Sequence, residues 1–507
     1  MKRKFAFFNL FFGCVSLFTI HTKFTPHLVA EDLIKIDLDL EIKKGYFLIG
    51  LRQYLGGDYD SFSKNQEITF VTDKGFLNLY SSNGIEHKAK NITIQWSDIP
   101  TKSPKIVQRI VFGPFASFES AQKQAEILKE KGFDATVAYP KNWEVWIPFE
   151  DDLPELALKS KIFRKTEDSQ ITPLLKSDSF VKKLEGPIHI YADEEITIND
   201  VQFGKNFYLI QDSYGTWTLI QKIKFDDYLA GVLPYEIGPS APLEALKAQA
   251  VIARTWGIFN SERFNMDSYH LCISTQCQVY KPPKVKNEKV LKAIAATSNF
   301  ILTYENKPIN AFYHGSNGGI SATASESWQM QDYPYFISII DGSKSLNKIF
   351  KFPIADESEL NHLLDFNTEE FYGSNHSRFR WNKTISNLKI KEKLVENKLI
   401  DINDDVLDLN VVERGISGRV TKLEIHTNKV NKTILLVKDD IRRILSFIPS
   451  NLFTINKLSD NLWLLRGGGF GHGVGLSQSG AIEMAKLGFS YEQILSHYYR
   501  DAKLKKI

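Results

Sequence analysis

Between Phe225 and Trp256 the chain reads FDDYLAGVLPYEIGPSAPLEALKAQAVIARTW, and this segment constrains the fold more than any other. A strand-like run ends at a lone acidic residue, Glu236, with Gly231, Val232, Leu233, Pro234 and Tyr235 before it and Ile237 and Gly238 after it. A Ser-Ala-Pro start then opens a helix from about Ala241 to Phe259. Its Leu246, Ala250, Ala253 and Gly257 share a face of mostly small residues, so a neighbour must pack closely against it. Lys247, Val251, Arg254 and Ile258 share another face, which puts Arg254 at the edge of the packed helix, within reach of a carboxylate or a sugar substituent. A carboxyl flanked by apolar residues at the mouth of a helix can be held protonated near neutral pH, because burial penalises the charged form. A general acid needs that property. A helix-entry glutamate on the surface and a solvated arginine are the plainer alternatives from local sequence alone.

With 63 basic and 60 acidic residues the formal charge is +3, which argues against a dedicated nucleic-acid binder. Lys2, Arg3 and Lys4 precede an apolar run from Phe5 to Ile20, and Leu28-Val29-Ala30 precedes Glu31-Asp32. Residues 1–30 therefore read as a signal peptide, with a retained N-terminal membrane anchor as the competing reading. No other stretch reaches the roughly 18 apolar residues of a spanning helix. The expected location is exported, in a periplasm or cell-wall compartment. Cys14 lies inside the apolar run, so processing leaves Cys272 and Cys277, too few for a disulfide-built scaffold.

Residues 31–104 read as a small strand-rich region and 105–150 as a β-α-β-β module. The stretch GPFASFESAQKQAEILKEKGFDATV in that module resembles the SPOR domain, an exported peptidoglycan-binding unit. Residues 151–184, polar and rich in Lys and Ser, read as a linker. A main region follows in two parts, 185–343 and 409–503, separated by a charged, Asn-bearing, mostly helical lobe at 344–408. Strand and helix signals mix without βαβα regularity, so the fold class expected is α+β with a mixed sheet.

Three further clusters carry candidate chemistry. In YHLCISTQCQVY, Cys272, Cys277 and His270 could supply zinc ligands, and a Cys272–Cys277 disulfide is the rival. In AFYHGSNGGISATASESW, Tyr313 and His314 end a strand-like run, Gly318 and Gly319 let backbone approach a ligand, and Ser316 with Asn317 suits sugar hydroxyls. The spacing is not that of a G-x-S-x-G nucleophile elbow. In LLRGGGFGHGVGLSQSGAIEMAKLG, glycines surround His472 and lead through Gly473 and Gln478 into a helix. A dinucleotide fingerprint fails there for want of the βαβ frame and acidic partner, and a phosphate loop fails for want of G-K-[ST].

These clusters, together with SGRV, DDIRRIL and SNLFTI in the same order, resemble the SpoIID/LytB family of exported peptidoglycan-active proteins over roughly residues 186–500. The resemblance implies a lytic transglycosylase that cuts glycan strands stripped of stem peptides. The alternative it carries is a non-catalytic enhancer of a cell-wall amidase. Glu236 falls on the family's essential glutamate and Arg254 on a second functional position. Tyr313, His314, Ser316, Gly318, Gly319, His472, Gly473 and Gln478 are the candidate substrate-binding residues. No cofactor is required by that chemistry. Members that bind zinc place a histidine just before the second cysteine, where this chain has Gln276, and an earlier histidine further from the first cysteine than His270 lies. The partners implied are peptidoglycan strands and an amidase.

Overall fold

The computed structural model describes residues 36–57, 67–149, 160–177, 179–283, 287–354, 356–366, 369–429 and 433–507. The signal or anchor reading of residues 1–30 lies outside them. Among the described residues no helix is long and apolar enough to cross a membrane. Helices and several sheets are interleaved, an α+β fold.

The central element is a seven-stranded sheet. Its spatial order is Leu271–Cys272, Tyr46–Leu55, Trp217–Lys224, Asn206–Gln211, Ile188–Tyr191, Leu77–Ser81 and Glu86–Ala89. Successive side chains of a strand point to opposite faces, and here both faces are covered. Phe47, Ile49, Phe207, Leu209, Trp217 and Leu219 enter one core with the helices Phe225–Glu236 and Leu243–Phe259. Leu48, Tyr208, Ile210 and Ile220 enter another core with Ile110, Phe112, Ala121, Ala125, Trp143 and Val145. Burial of each Val, Leu, Ile or Phe among them contributes about 1.5–3 kcal/mol. The β-α-β-β segment thus forms the back layer of the central sheet, and the buried ion pair of Arg263 with Glu119 at 2.6 Å fastens it there.

Several boundaries read from the sequence move. A break at 104 would cut the long strand Asn91–Phe115, and a break near 185 would part strands of one sheet. The stretch read as a linker is, over Lys161–Ser177, a strand paired antiparallel to Asn91–Phe115 from Thr93↔Lys176 to Val111↔Lys161. Most of it is solvated on both faces, so no apolar alternation marks it. The 344–408 lobe does not close on itself either. Its strand Arg380–Ser386 pairs with Leu462–Gly468, and position 408 falls inside the strand Val406–Arg414, which pairs with Val420–Thr427.

The run before Glu236 is helical rather than strand-like. Tyr228, Leu229, Val232 and Leu233 bury one face of the helix Phe225–Glu236, with Asp226 and Asp227 in its first turn. Gly238, at φ +87°, follows the C-cap Ile237 and turns the chain. Gly231 has a separate purpose. A Cβ there would stand 2.4 Å from the Tyr280 ring and 2.6 Å from the Lys281 carbonyl. Gly231→Ala is expected to cost about 1–3 kcal/mol in urea unfolding and to lower activity, because it pushes away the segment that holds Glu236.

Candidate active site

Glu236 ends its helix half-buried, and its Oε1 accepts a hydrogen bond from the Val279 N–H at 2.7 Å. Burial raises its pKa above the ordinary carboxylate range, and the bonds from Val279 and the Tyr313 hydroxyl only partly offset this.

What fixes the carboxyl is the run Gln278-Val279-Tyr280. Gln278 is buried, donates to Ala253 O at 3.2 Å and accepts from the Tyr313 hydroxyl at 3.0 Å. Tyr280 stacks on Tyr228 with ring centroids 5.3 Å apart. Lys281 N–H donates to Gly231 O at 3.1 Å. Sequence reasoning gave these residues no role, although the run directly follows Cys277. Its polar Gln278 between a cysteine and two bulky residues was the signal.

Glu236 opens into a cavity of about 330 Å³ whose other walls include Gly315, Asn375, His376, Gln478 and Glu483. Gln478 is anchored by a bond to Gln249 at 3.3 Å. Beside Gly315 lies the exposed ring of Phe470, with the Arg378 guanidinium 4.0 Å from its centroid. The Gly373–Arg378 stretch was not foreseen, because polar loop residues in a charged, Asn-bearing segment carry no pattern.

The remaining candidates are placed differently. His472 Nδ1 accepts from Val474 N–H at 3.1 Å, so Nε2 carries the proton and donates to the Tyr313 carbonyl at 2.9 Å. Burial and Arg442 push its pKa down to about 3, so it is a neutral brace for Tyr313. His314 is buried against it and bonds Val474 O through Nδ1 at 3.1 Å. Ser316 pairs its backbone with Phe470, and a Cβ on Gly318 would stand 2.7 Å from Gly468 C. One on Gly319 would meet the Phe371 ring at 2.9 Å, and one on Gly473 would meet the Arg419 guanidinium at 2.4 Å. These glycines pack chain against chain. None of His314, Ser316, Gly318, Gly319, His472 and Gly473 lines the Glu236 cavity. Arg419, buried, clasps the loop by donating to Asn317 O and Ile320 O, each at 2.9 Å.

Arg254 is not at the site. Its guanidinium donates to Asp226 Oδ1 at 2.8 Å, Thr297 O at 2.9 Å and Phe300 O at 3.0 Å. Asp226 begins the helix that Glu236 ends, about 15 Å away along its axis at 1.5 Å per residue. The three candidate zinc ligands do not fit a metal as arranged. Cys272 and Cys277 are joined in a disulfide, which leaves no thiolate to ligate. His270 accepts from Leu48 N–H at 2.8 Å and its other nitrogen bonds Leu38 O at 3.1 Å. Among the described residues no group of three His, Cys, Asp or Glu could hold a metal ion.

Two parts of the chain that build this cavity match known families. Residues 213–304, which carry Glu236, Gln278 and Val279, match the Stage II sporulation protein family. Residues 322–475, which carry Gly373–Arg378 and Phe470, match a domain of unknown function, DUF8618. The Stage II sporulation protein D of Bacillus subtilis is 26% identical over 302 residues, 57% of this chain and 76% of that protein. An amidase enhancer of the same organism is 29% identical over 287 residues, 54% of this chain and 39% of that protein. The chain is similar to the SpoIID/LytB family. An uncharacterized protein of Brachyspira hyodysenteriae is also similar, 29% identical over 316 residues, 61% of this chain and 73% of that protein.

Proposed function

We propose that the chain is an exported, peptidoglycan-active lytic transglycosylase that cuts the bond between N-acetylmuramic acid and N-acetylglucosamine in strands lacking stem peptides. A cell-wall role follows from the family. The observation that carries the finer reading is Glu236 itself: a carboxyl whose pKa burial raises, fixed by one backbone N–H, and open to a mostly polar cavity that includes Asn375, His376, Gln478 and Ser479.

Glu236 gives its proton to the glycosidic oxygen as the bond from the muramoyl C1 breaks, and the N-acetylglucosamine 4-hydroxyl departs. The carboxylate then takes the proton of the muramoyl C6 hydroxyl as O6 bonds to C1 and closes a 1,6-anhydro ring. The proton is restored and no water is consumed. A glycoside hydrolase usually needs a second carboxyl, and one acid serves both transfers here. Glu483 shares the cavity wall but has Lys486 as an ion partner at 3.5 Å. Tyr313, facing Glu236, steadies the carboxylate between the two transfers.

No metal enters this step. EDTA is expected to leave release of anhydro products unchanged. Dithiothreitol is expected to lower it several-fold, because opening Cys272–Cys277 loosens the run that carries Gln278 and Val279. Activity lost to chelator and restored by zinc would overturn this.

Likeness to an amidase enhancer favours a second reading, a wall-binding protein that stimulates an amidase without cutting. Purified chain incubated alone with denuded glycan separates the two, since anhydro ends form only if it cuts.

A further inference from the structure

A cavity of about 680 Å³ shares no lining residue with the Glu236 cavity. It lies where the turn Asp212–Thr216 of the central sheet faces the paired strands Asn91–Phe115 and Lys161–Ser177. Apart from residues 214–216, its walls lie outside both stretches that match known families. We propose that this cavity is a second binding site, and that it takes a linear, uncharged oligosaccharide bearing N-acetyl groups.

The size falls within the roughly 300–1,000 Å³ of small-ligand sites. The lining decides the chemistry. Hydroxyls and amides from Ser97, Thr101, Ser169, Gln170, Gln211 and Thr216 dominate it. The charged groups on the wall are two acids, Asp98 and Glu167, and two bases, Lys105 and Lys165, so there is no net charge to select an ionic ligand. Lys165 and Glu167 stand 3.7 Å apart as a pair. Such a wall suits a ligand dense in hydroxyls and amides, and it is too polar for a lipid and too neutral for a nucleic acid.

Two details favour a sugar chain with acetamido groups. Gln170 donates to Gln211 Oε1 at 3.4 Å, which leaves the Gln211 amide N–H groups and the Gln170 carbonyl to a ligand. A neighbouring cavity of about 360 Å³ shares Gln170, Ile171 and Gln211 and runs on past Gly186 and Trp217, so the track is elongated. Gly215, at φ +82°, keeps one wall open, with nothing nearer to a would-be Cβ than Glu167 Oε1 at 3.7 Å.

This site stands apart from the chemistry at Glu236, and its test does not use activity. Chitotetraose, the β-1,4 tetramer of N-acetylglucosamine, is titrated calorimetrically into the full chain and its variants. Binding is expected to weaken at least tenfold in the double variant Gln170→Ala with Gln211→Ala. Both positions are exposed, and thermal unfolding should match the parent. Binding is expected to persist in Gln478→Ala, and cellotetraose, which lacks acetamido groups, is expected to bind at least tenfold more weakly. The proposal is overturned if the parent chain does not bind chitotetraose or if the double variant binds like the parent. Loss confined to Gln478→Ala would also overturn it, by assigning the ligand to the Glu236 cavity. Equal binding of cellotetraose would overturn the assignment to N-acetylated chains.

Discussion

Glu236→Gln is expected to lower release of anhydro products from amidase-treated glycan by roughly 10³–10⁴-fold, the upper range for loss of an acid–base group, with the fold intact. The amide is neutral, as the working acid is, and its oxygen still accepts the Val279 N–H. Unfolding free energy should therefore change by no more than about 1 kcal/mol. The pH profile carries the same information. The protonated form begins the reaction, and burial raises the pKa of Glu236 in the folded chain. Parent activity should fall as pH rises through that raised value, while the residual rate of the variant should show no such limb. Glu483→Gln is the control, and it should retain most of the rate. Undiminished release by the Glu236 variant, measured by chromatography of muropeptides or disaccharides, would remove Glu236 from the mechanism. Reducing rather than anhydro ends in the parent's products would show hydrolysis.

Arg254→Ala should produce the second large effect, on stability. The guanidinium is wholly buried and spans three elements, joining Asp226, Thr297 and Phe300. Removing it takes a charged donor from the buried Thr297 carbonyl, which keeps the Phe300 N–H at 3.1 Å, and from the half-buried Phe300 carbonyl, each loss at about 1.5–3 kcal/mol. Asp226 is partly exposed, so the loss of its ion partner adds less than a fully buried pair would. A total of about 3 kcal/mol is expected from urea unfolding. Well below the new midpoint the folded fraction should cut glycan at close to the parent rate, because Arg254 does not reach the cavity. A variant of parent stability that had lost its rate would instead make Arg254 part of the catalytic machinery. Asp226→Asn, which keeps an acceptor for Arg254, should lose less stability than Arg254→Ala.

The residue on which the proposed chemistry rests was legible because its signal is local. Glu236 is an acid in an apolar run, and the glycine-rich segment around His472 marked close chain approach. Both properties survive in one dimension. Direction did not. The glycines of HGSNGG and GFGHGVG do bring backbone close, but to Gly468, Phe371 and Arg419 rather than to a ligand. Arg254 shares a helix face with Lys247, Val251 and Ile258, yet periodicity cannot say which end of a neighbouring helix it meets. The helix Phe225–Glu236 was misread as a strand because its apolar run is continuous, and Pro234 near its end looks like a breaker. Lys161–Ser177 escaped because a strand lying mostly in solvent shows a core side only near its end, at Thr172 to Leu175. The pairing of Tyr46–Leu55 with Trp217–Lys224 was hidden too, since nothing in either strand names a partner so distant in the chain.

That distant pairing ties together positions that single-site reasoning would treat as independent. Gly257 lies against the Phe47 ring, and a Cβ there would stand 2.7 Å from the tip of that ring. Bulk at one position is therefore tolerated only with its absence at the other. In related chains the two sites should covary, a large aromatic at the first accompanying glycine at the second and a smaller side chain permitting alanine. Exchanging the leading strand between relatives without its counterpart would set two natural sequences against each other in one core.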